Sequence, residues 1–352
     1  MNGHFAAVRL LVSLAVISLL AACAAGSSPT PPPSSIATST PSAPAATPMP
    51  IPTAAAPTPA PTLAADVAAL DVPYETSNPL GRPEKLDVYA PSARGPWPVV
   101  VMFHGNPAVI DKGYLARWAT HVAADGFVVF VPTWGKVSSE ATADMAKHDE
   151  LIACGRQAAC AVAFARAHAA EYGGDPSTMI LFGHSAGANT AAYLAFARPQ
   201  PTDGCPGGDA LGPVSSIVTF EGDWLDMDPM WDPRIAADPA VLVYTPWEHL
   251  AEHPDVPVVM LVSEGSGGVL EPPALDPPVD WLTARDPVAL RERFLAAGER
   301  ADVAEQQAIL HAALEAQGNP VSLTALPGAD HSTIGVAGMP VLLAAFHEAA
   351  GK

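Results

Sequence analysis

Basic side chains are scarce in this sequence: 17 Lys and Arg stand against 36 Asp and Glu in 352 residues, a formal net charge of −19. A surface of that sign repels polyanions, which argues against nucleic acid as a partner and favours a neutral or cationic small molecule. Cysteine is scarce as well, limited to Cys23, Cys154, Cys160 and Cys205. No metal-loop spacing stands out. The acidic run Asp223, Asp226, Asp228 and Asp232 could in principle attract calcium, but it fits no calcium-loop pattern and reads as solvated charge. No metal or cofactor is expected.

Charge is missing altogether from residues 24–64, which hold twelve prolines among Ala, Ser and Thr. Such a segment cannot bury enough apolar surface to fold, and its proline density favours extended polyproline II. At roughly 3.1 Å per residue it would reach on the order of 100 Å, the behaviour of a tether. Ahead of it, residues 5–22 are almost wholly apolar and end in Leu20-Ala21-Ala22-Cys23. Small residues directly before a cysteine resemble a bacterial lipoprotein signal with its lipobox. That resemblance implies a signal peptide over 1–22, acylation of Cys23, a tether over 23–64, and an extracytoplasmic chain held at the cell envelope by a lipid anchor. A spanning helix is the alternative reading of the same apolar run. The remainder, 65–352, suits one α/β domain with insertions.

Within that domain the pattern is of apolar strand-length runs alternating with helical segments. Strands are expected at 86–91, 98–103, 127–131, 177–182, 215–220, 256–262 and 321–326, and helices at about 114–125, 157–171, 186–198, 301–317 and 340–349. Continuous β-branched runs such as Pro98 to Phe103 are those of strands buried on both faces. The predicted fold class is therefore α/β, a mostly parallel sheet with helices on both faces.

Gly183-His184-Ser185-Ala186-Gly187 lies between an apolar strand and an Ala-rich helix. A serine on a sharp strand-to-helix turn needs small neighbours, because strand and helix pass close together; Gly183 and Gly187 supply them. Its Oγ then stands above the sheet at a helix N-terminus, where backbone N–H groups can meet a developing oxyanion. This stretch resembles the nucleophile elbow of α/β-hydrolase esterases, and Tyr172-Gly173-Gly174-Asp175-Pro176 ahead of it resembles the approach to the elbow in carboxylesterases and hormone-sensitive-lipase-like enzymes. The resemblance implies the α/β-hydrolase fold, Ser185 as nucleophile, and a base that follows nucleophile and acid in the chain. His331, in Pro327-Gly328-Ala329-Asp330-His331, resembles the histidine of the esterase Pro-Gly-x-x-His loop and is the expected general base.

His104-Gly105 after the strand at 98–103 resembles the oxyanion loop of that fold, with the N–H groups of Asn106 and Ala186 as the implied donors. It departs from the Gly-Gly-Gly form of the hormone-sensitive-lipase-like group, and His104 itself reads as structural. The acid is ambiguous. The commonest slot, after the strand at 256–262, reads Ser263-Glu264-Gly265-Ser266 and offers Glu264 but no aspartate. A slot one strand earlier, used by pancreatic-lipase-like and platelet-activating-factor-acetylhydrolase-like enzymes, offers Glu221. Glu221 is preferred, Glu264 is the alternative, and Asp223 and Glu271 stand behind them. Segments at about 222–255 and 265–300 read as cap-like insertions whose Trp224, Trp231, Trp247 and Trp281 would line a pocket. Dienelactone-hydrolase-like enzymes share the layout, but their usual nucleophile is cysteine.

In this fold Cys154 and Cys160 would start the helix before the elbow strand while Cys205 would lie at the far end of the sheet. The expected bridge is therefore Cys154–Cys160, if Gly155 interrupts the helix; three unpaired thiols are the alternative. The functional expectation is a serine hydrolase of carboxylic esters. A serine peptidase of the same fold and a catalytically silent ligand-binding lipoprotein are the rivals.

Overall fold

The structure, a computed structural model, describes residues 65–75, 83–106, 110–135, 148–208, 210–222, 224, 246–264 and 303–351. They belong to one unit, Pro59–Lys352. The chain order is β1 (Ala65–Pro73), β2 (Lys85–Pro91), β3 (Trp97–Phe103), α1 (Ala116–Ala124), β4 (Val128–Pro132), α2 (His148–His168), β5 (Gly174–His184), α3 (Ala186–Phe196), β6 (Ser216–Phe220), α4 (Pro246–His249), β7 (Val258–Ser263), α5 (Val303–Gln317), β8 (Val321–Leu326) and α6 (Met339–Ala349). Short 3-10 turns, Lys112–Leu115 and Ala169–Tyr172, lead into α1 and out of α2.

The strands form one sheet in the order β1-β2-β4-β3-β5-β6-β7-β8. β1–β2 and β2–β4 are antiparallel and every later pair is parallel. The apolar runs are buried on both faces because each alternate side chain meets a different helical layer. Val99, Val101 and Phe103 pack with Met179, Leu181, Ile217 and the buried sides of α2, α3 and α5. Val100 and Met102 pack with Ile180, Phe182, Val218 and the buried sides of α1 and α6. Helices on both faces follow from that alternation.

Strand order reverses between β3 and β5: the chain leaves β3 toward β4 on one side and returns to β5 on the other. Such a switch point leaves a crevice beyond the carboxyl ends of the two strands, and ligands bind there in open α/β sheets. The segments that occupy it are His104–Asn106 and Ser185.

β1 was not expected. Its Ala- and Asp-rich sequence has weak strand propensity, yet it pairs with β2 along the sheet edge. Asp71, at φ 54°, donates its N–H to Asp87 Oδ1 (2.9 Å), and Lys112 Nζ reaches both Asp87 (2.6 Å) and Asp71 (3.1 Å).

The expected disulfide is corrected. α2 runs unbroken through Gly155, so Cys154 and Cys160 are separated by about 9 Å of helical rise, beyond bridging distance. Instead Cys160 bonds Cys205 across a Cα–Cα distance of 5.6 Å, and Cys154 is buried outside the bridge. The chain after α3 turns back over α2, where Thr202 donates its N–H to the Arg156 carbonyl (3.2 Å). Cys205 is thus brought beside the helix instead of to the far end of the sheet.

Candidate active site

Ser185 joins β5 to α3 with φ 54° and ψ −125°, a conformation L-residues rarely adopt. The two flanking glycines make the turn possible. A Cβ on Gly183 would lie 2.0 Å from the Gly187 carbonyl oxygen, and one on Gly187 would lie 2.2 Å from that of Phe103. The turn is pinned at both sides: Ser185 N–H donates to the Phe220 carbonyl (2.9 Å) and its own carbonyl accepts from Ala188 N–H (2.8 Å). The half-buried Ser185 hydroxyl does not cap α3, so it is not consumed by the helix.

Beside it runs the loop after β3. Gly105 lies so near that a Cβ there would sit 2.9 Å from Ser185 Cβ. Asn106, at φ 37°, accepts from Ile110 N–H (3.0 Å) through its carbonyl. Ala186 is the first residue of α3, where an N–H has no acceptor within the helix. His104 is fully buried and structural: its Nδ1–H meets the Gly105 carbonyl (3.0 Å) and its own carbonyl accepts from Trp134 Nε1–H (3.1 Å).

Glu221 follows β6, also at positive φ (53°). Its side chain is 1% exposed, and its Oε2 accepts from His331 Nδ1–H at 2.6 Å, while the His331 side chain is 51% exposed. Its other oxygen, Oε1, accepts from both the N–H (2.6 Å) and the hydroxyl (2.5 Å) of Ser263 at the end of β7. Burial pushes the Glu221 carboxyl up, but the hydrogen bonds from His331 and Ser263 and the adjacent imidazole outweigh it and hold the carboxyl below its ordinary range. Glu264, the alternative acid, is engaged elsewhere: its Oε2 accepts from Gly328 N–H (2.8 Å) in the loop that carries His331. Asp223 and Glu271 lie outside the described residues.

Three groups escaped the sequence reading. Ser263 was passed over as part of a slot lacking aspartate. His184, the variable second residue of the pentapeptide, is buried, with Nε2 2.5 Å from the His331 carbonyl. Tyr114, read as part of a helical stretch, donates its hydroxyl to the Ser332 carbonyl (2.7 Å). A polar aromatic at the tip of a buried strand was the available signal for His184; nothing local marked the other two.

The cap aromatics are corrected in part. Trp224 is fully buried against Phe196, and its N–H donates to Asn189 Oδ1 (3.1 Å). Trp247 is buried beside it, with its N–H on the Trp224 carbonyl (3.3 Å). Both serve the core over α3 instead of lining a pocket, because the apolar α3 surface needs cover there. Trp231, Trp281, the Asp226, Asp228 and Asp232 run, Cys23 and the 1–22 and 23–64 segments lie outside the described residues. Among the described residues no group of three His, Cys, Asp or Glu is placed to hold a metal ion, and no helix is long and apolar enough to cross a membrane.

Residues 86–206 match the family model of BD-FAE, an α/β-hydrolase-type esterase family. No curated protein matches the sequence. Among solved structures, a truncated carbohydrate esterase from gut microbiota aligns at 16% identity with a TM-score of 0.54, covering 84% of this chain and 99% of that one. The butyrate-bound thermophilic esterase Est2 of Thermogutta terrifontis aligns at 17% identity and 0.51, covering 83% and 91%. The sarin-phosphonylated form of that species' esterase 2 aligns at 18% and 0.51, covering 81% and 91%. The mostly parallel sheet described above and these likenesses settle the architecture: the chain has the α/β-hydrolase fold.

Proposed function

We propose that this chain is a serine hydrolase of carboxylic esters, with Ser185 as nucleophile, His331 as base and Glu221 as the acid that orients it. The observation that carries the reading is the 2.6 Å contact from His331 Nδ1 to a buried Glu221 at the crevice where Ser185 stands on its strained turn. A carboxylate only accepts, so Nδ1 carries the proton and Nε2 is left as the base. Ser185 Oγ attacks the acyl carbon as its proton passes to His331 Nε2, and the N–H groups of Asn106 and Ala186 receive the oxyanion. Collapse of the tetrahedral intermediate breaks the ester C–O bond, and the alcohol leaves with the His331 proton. Water, deprotonated by His331, then releases the acid from Ser185.

The match to an esterase family and the likeness to a carbohydrate esterase support acylated carbohydrates as one substrate class to test. The lipobox-like Leu20-Ala21-Ala22-Cys23 supports acylation at Cys23 and display outside the cytoplasm. Labelling with a fluorophosphonate probe tests the central claim. Labelling of the wild type, lost in Ser185→Ala, is expected, and an unlabelled wild type overturns it in favour of a silent binder. Turnover of p-nitrophenyl esters but not of aminoacyl anilides separates esterase from peptidase.

A further inference from the structure

The loop that carries His331 is held by three side chains from three other parts of the fold. Glu264 after β7 takes Gly328 N–H (2.8 Å), Tyr114 before α1 gives its hydroxyl to the Ser332 carbonyl (2.7 Å), and His184 at the end of β5 lies 2.5 Å from the His331 carbonyl. Within the loop, Asp330 Oδ1 accepts from Ser332 and Thr333 N–H (both 2.8 Å). The last of the three outer contacts is at the main chain of the base itself.

A carbonyl oxygen can only accept, so the His184–His331 contact requires the proton on His184 Nε2. Its Nδ1 is buried beside Gly105 without a hydrogen-bond partner among the described residues, so a second proton there would meet no acceptor and the nitrogen is left as a lone pair. The ring is enclosed by Tyr114, stacked at 5.4 Å, by Trp118 at 5.7 Å and by Phe220 at 5.2 Å, with the His331 ring at 5.0 Å. Its other titratable neighbours are Glu221 and His104. Burial first, and then the neighbouring His331, pull the His184 imidazole down to about 4. A neutral ring here does not oppose the cation that His331 becomes in each turnover.

We propose that His184 is a positioning residue for the base: its neutral imidazole, together with the Tyr114 hydroxyl, fixes the main chain of His331 and Ser332, so that the half-exposed His331 side chain meets Glu221 and Ser185 in one place. The inference rests on the hydrolase reading above. One side-chain contact to Glu221 sets where Nδ1 is but leaves the ring free to swing about it; a fixed Cα removes that freedom. Displacement of a reacting group by about 1 Å can cost on the order of 10²-fold in rate.

The test uses the full chain with p-nitrophenyl butyrate. Tyr114→Phe, which removes one hydroxyl from a half-buried ring, is expected to lower kcat about 3- to 10-fold, and His184→Phe about 30- to 100-fold, each with KM within about twofold of wild type. His184→Gln, whose amide N–H can replace Nε2–H, is expected to recover kcat to within about fivefold of wild type. Rescue by glutamine is the result a merely space-filling role would not produce. If His184→Phe does not fold, Tyr114→Phe and His184→Gln decide. Wild-type kcat in Tyr114→Phe and His184→Phe, or equal losses in His184→Gln and His184→Phe, overturns the positioning role. Fluorophosphonate labelling of the wild type at Ser185, alongside such a result, leaves the hydrolase reading standing. Absence of labelling overturns both.

Discussion

Burying the Glu221 carboxylate to 1% exposure strips its water, and His331 together with the Ser263 hydroxyl and N–H replaces it. If Glu221 orients His331 as proposed, Glu221→Gln keeps the shape but removes the charge that stabilises the imidazolium, so kcat is expected to fall about 10²- to 10⁴-fold. Glu264→Gln still offers an acceptor to Gly328 and is expected to cost less than about tenfold; steady-state kinetics of both variants checks the assignment. Ser185→Ala and His331→Ala act on one unit, so each is expected to lose on the order of 10⁴-fold or more, and the double variant little beyond either. Acid acts on stability through two of these residues. Glu221 has a folded-state value below its ordinary 4.5, so its contribution is present above that value and is lost as pH falls through the depressed one. His184 falls from 6.5 to about 4 on folding, so between these values the unfolded chain binds the proton that the native ring refuses, and stability rises with pH across that window. The lowered value corresponds to about 2 to 3 kcal/mol lost between pH 7 and pH 4.5. Urea unfolding at the two pH values, compared with His184→Gln, is expected to show the wild type losing more by that amount.

Among the elements, the β5–α3 turn and the α2–Cys205 bridge invite direct trials. Gly183→Ala places a methyl 2.0 Å from the Gly187 carbonyl oxygen, and only backbone movement could relieve it. Loss of soluble folded protein, or at least several kcal/mol in urea unfolding, is expected. Cys205→Ser opens a bridge between residues 45 apart and is expected to cost up to about 4 kcal/mol by the loop-entropy relation, against about 1 kcal/mol for Cys154→Ala. That bridge also marks where the sequence stopped being readable. β3, β5 and α3 were legible because double-faced burial writes continuous apolar runs and the glycine-flanked serine has only one comfortable setting. Cys160–Cys205 was not, because Gly155 leaves no local sign that α2 tolerates it, and the return of the chain over α2 is a tertiary event. β1 was missed for a related reason, since it is held by pairing and by Asp71, Asp87 and Lys112 instead of by its own propensity. At the site, Ser185 and His331 stand in stretches with distinctive neighbours. Glu221 could be separated from Glu264 only by knowing which strand tip faces the imidazole.

On the scale of the whole molecule, the formal charge of −19 falls entirely outside the proline-rich 24–64 stretch, which carries no charged residue. If Cys23 is acylated, Cys23→Ser is expected to abolish incorporation of a labelled fatty acid while leaving p-nitrophenyl ester turnover unchanged; label that persists in the variant refutes the anchor. The order in which the sheet's strand tips supply the site has a consequence in time. Asn106, Ser185, Glu221 and His331 follow one another along the chain, and 110 residues separate the last two. At the usual pace of synthesis, about 5 to 20 residues per second, roughly 5 to 20 seconds pass between the arrival of the carboxylate and that of its imidazole. On the proposed assignment a chain cut before His331 lacks its base, and it is expected to show no turnover of p-nitrophenyl esters. His331 comes after β8, which is the last strand in the chain and lies at the sheet edge beside β7.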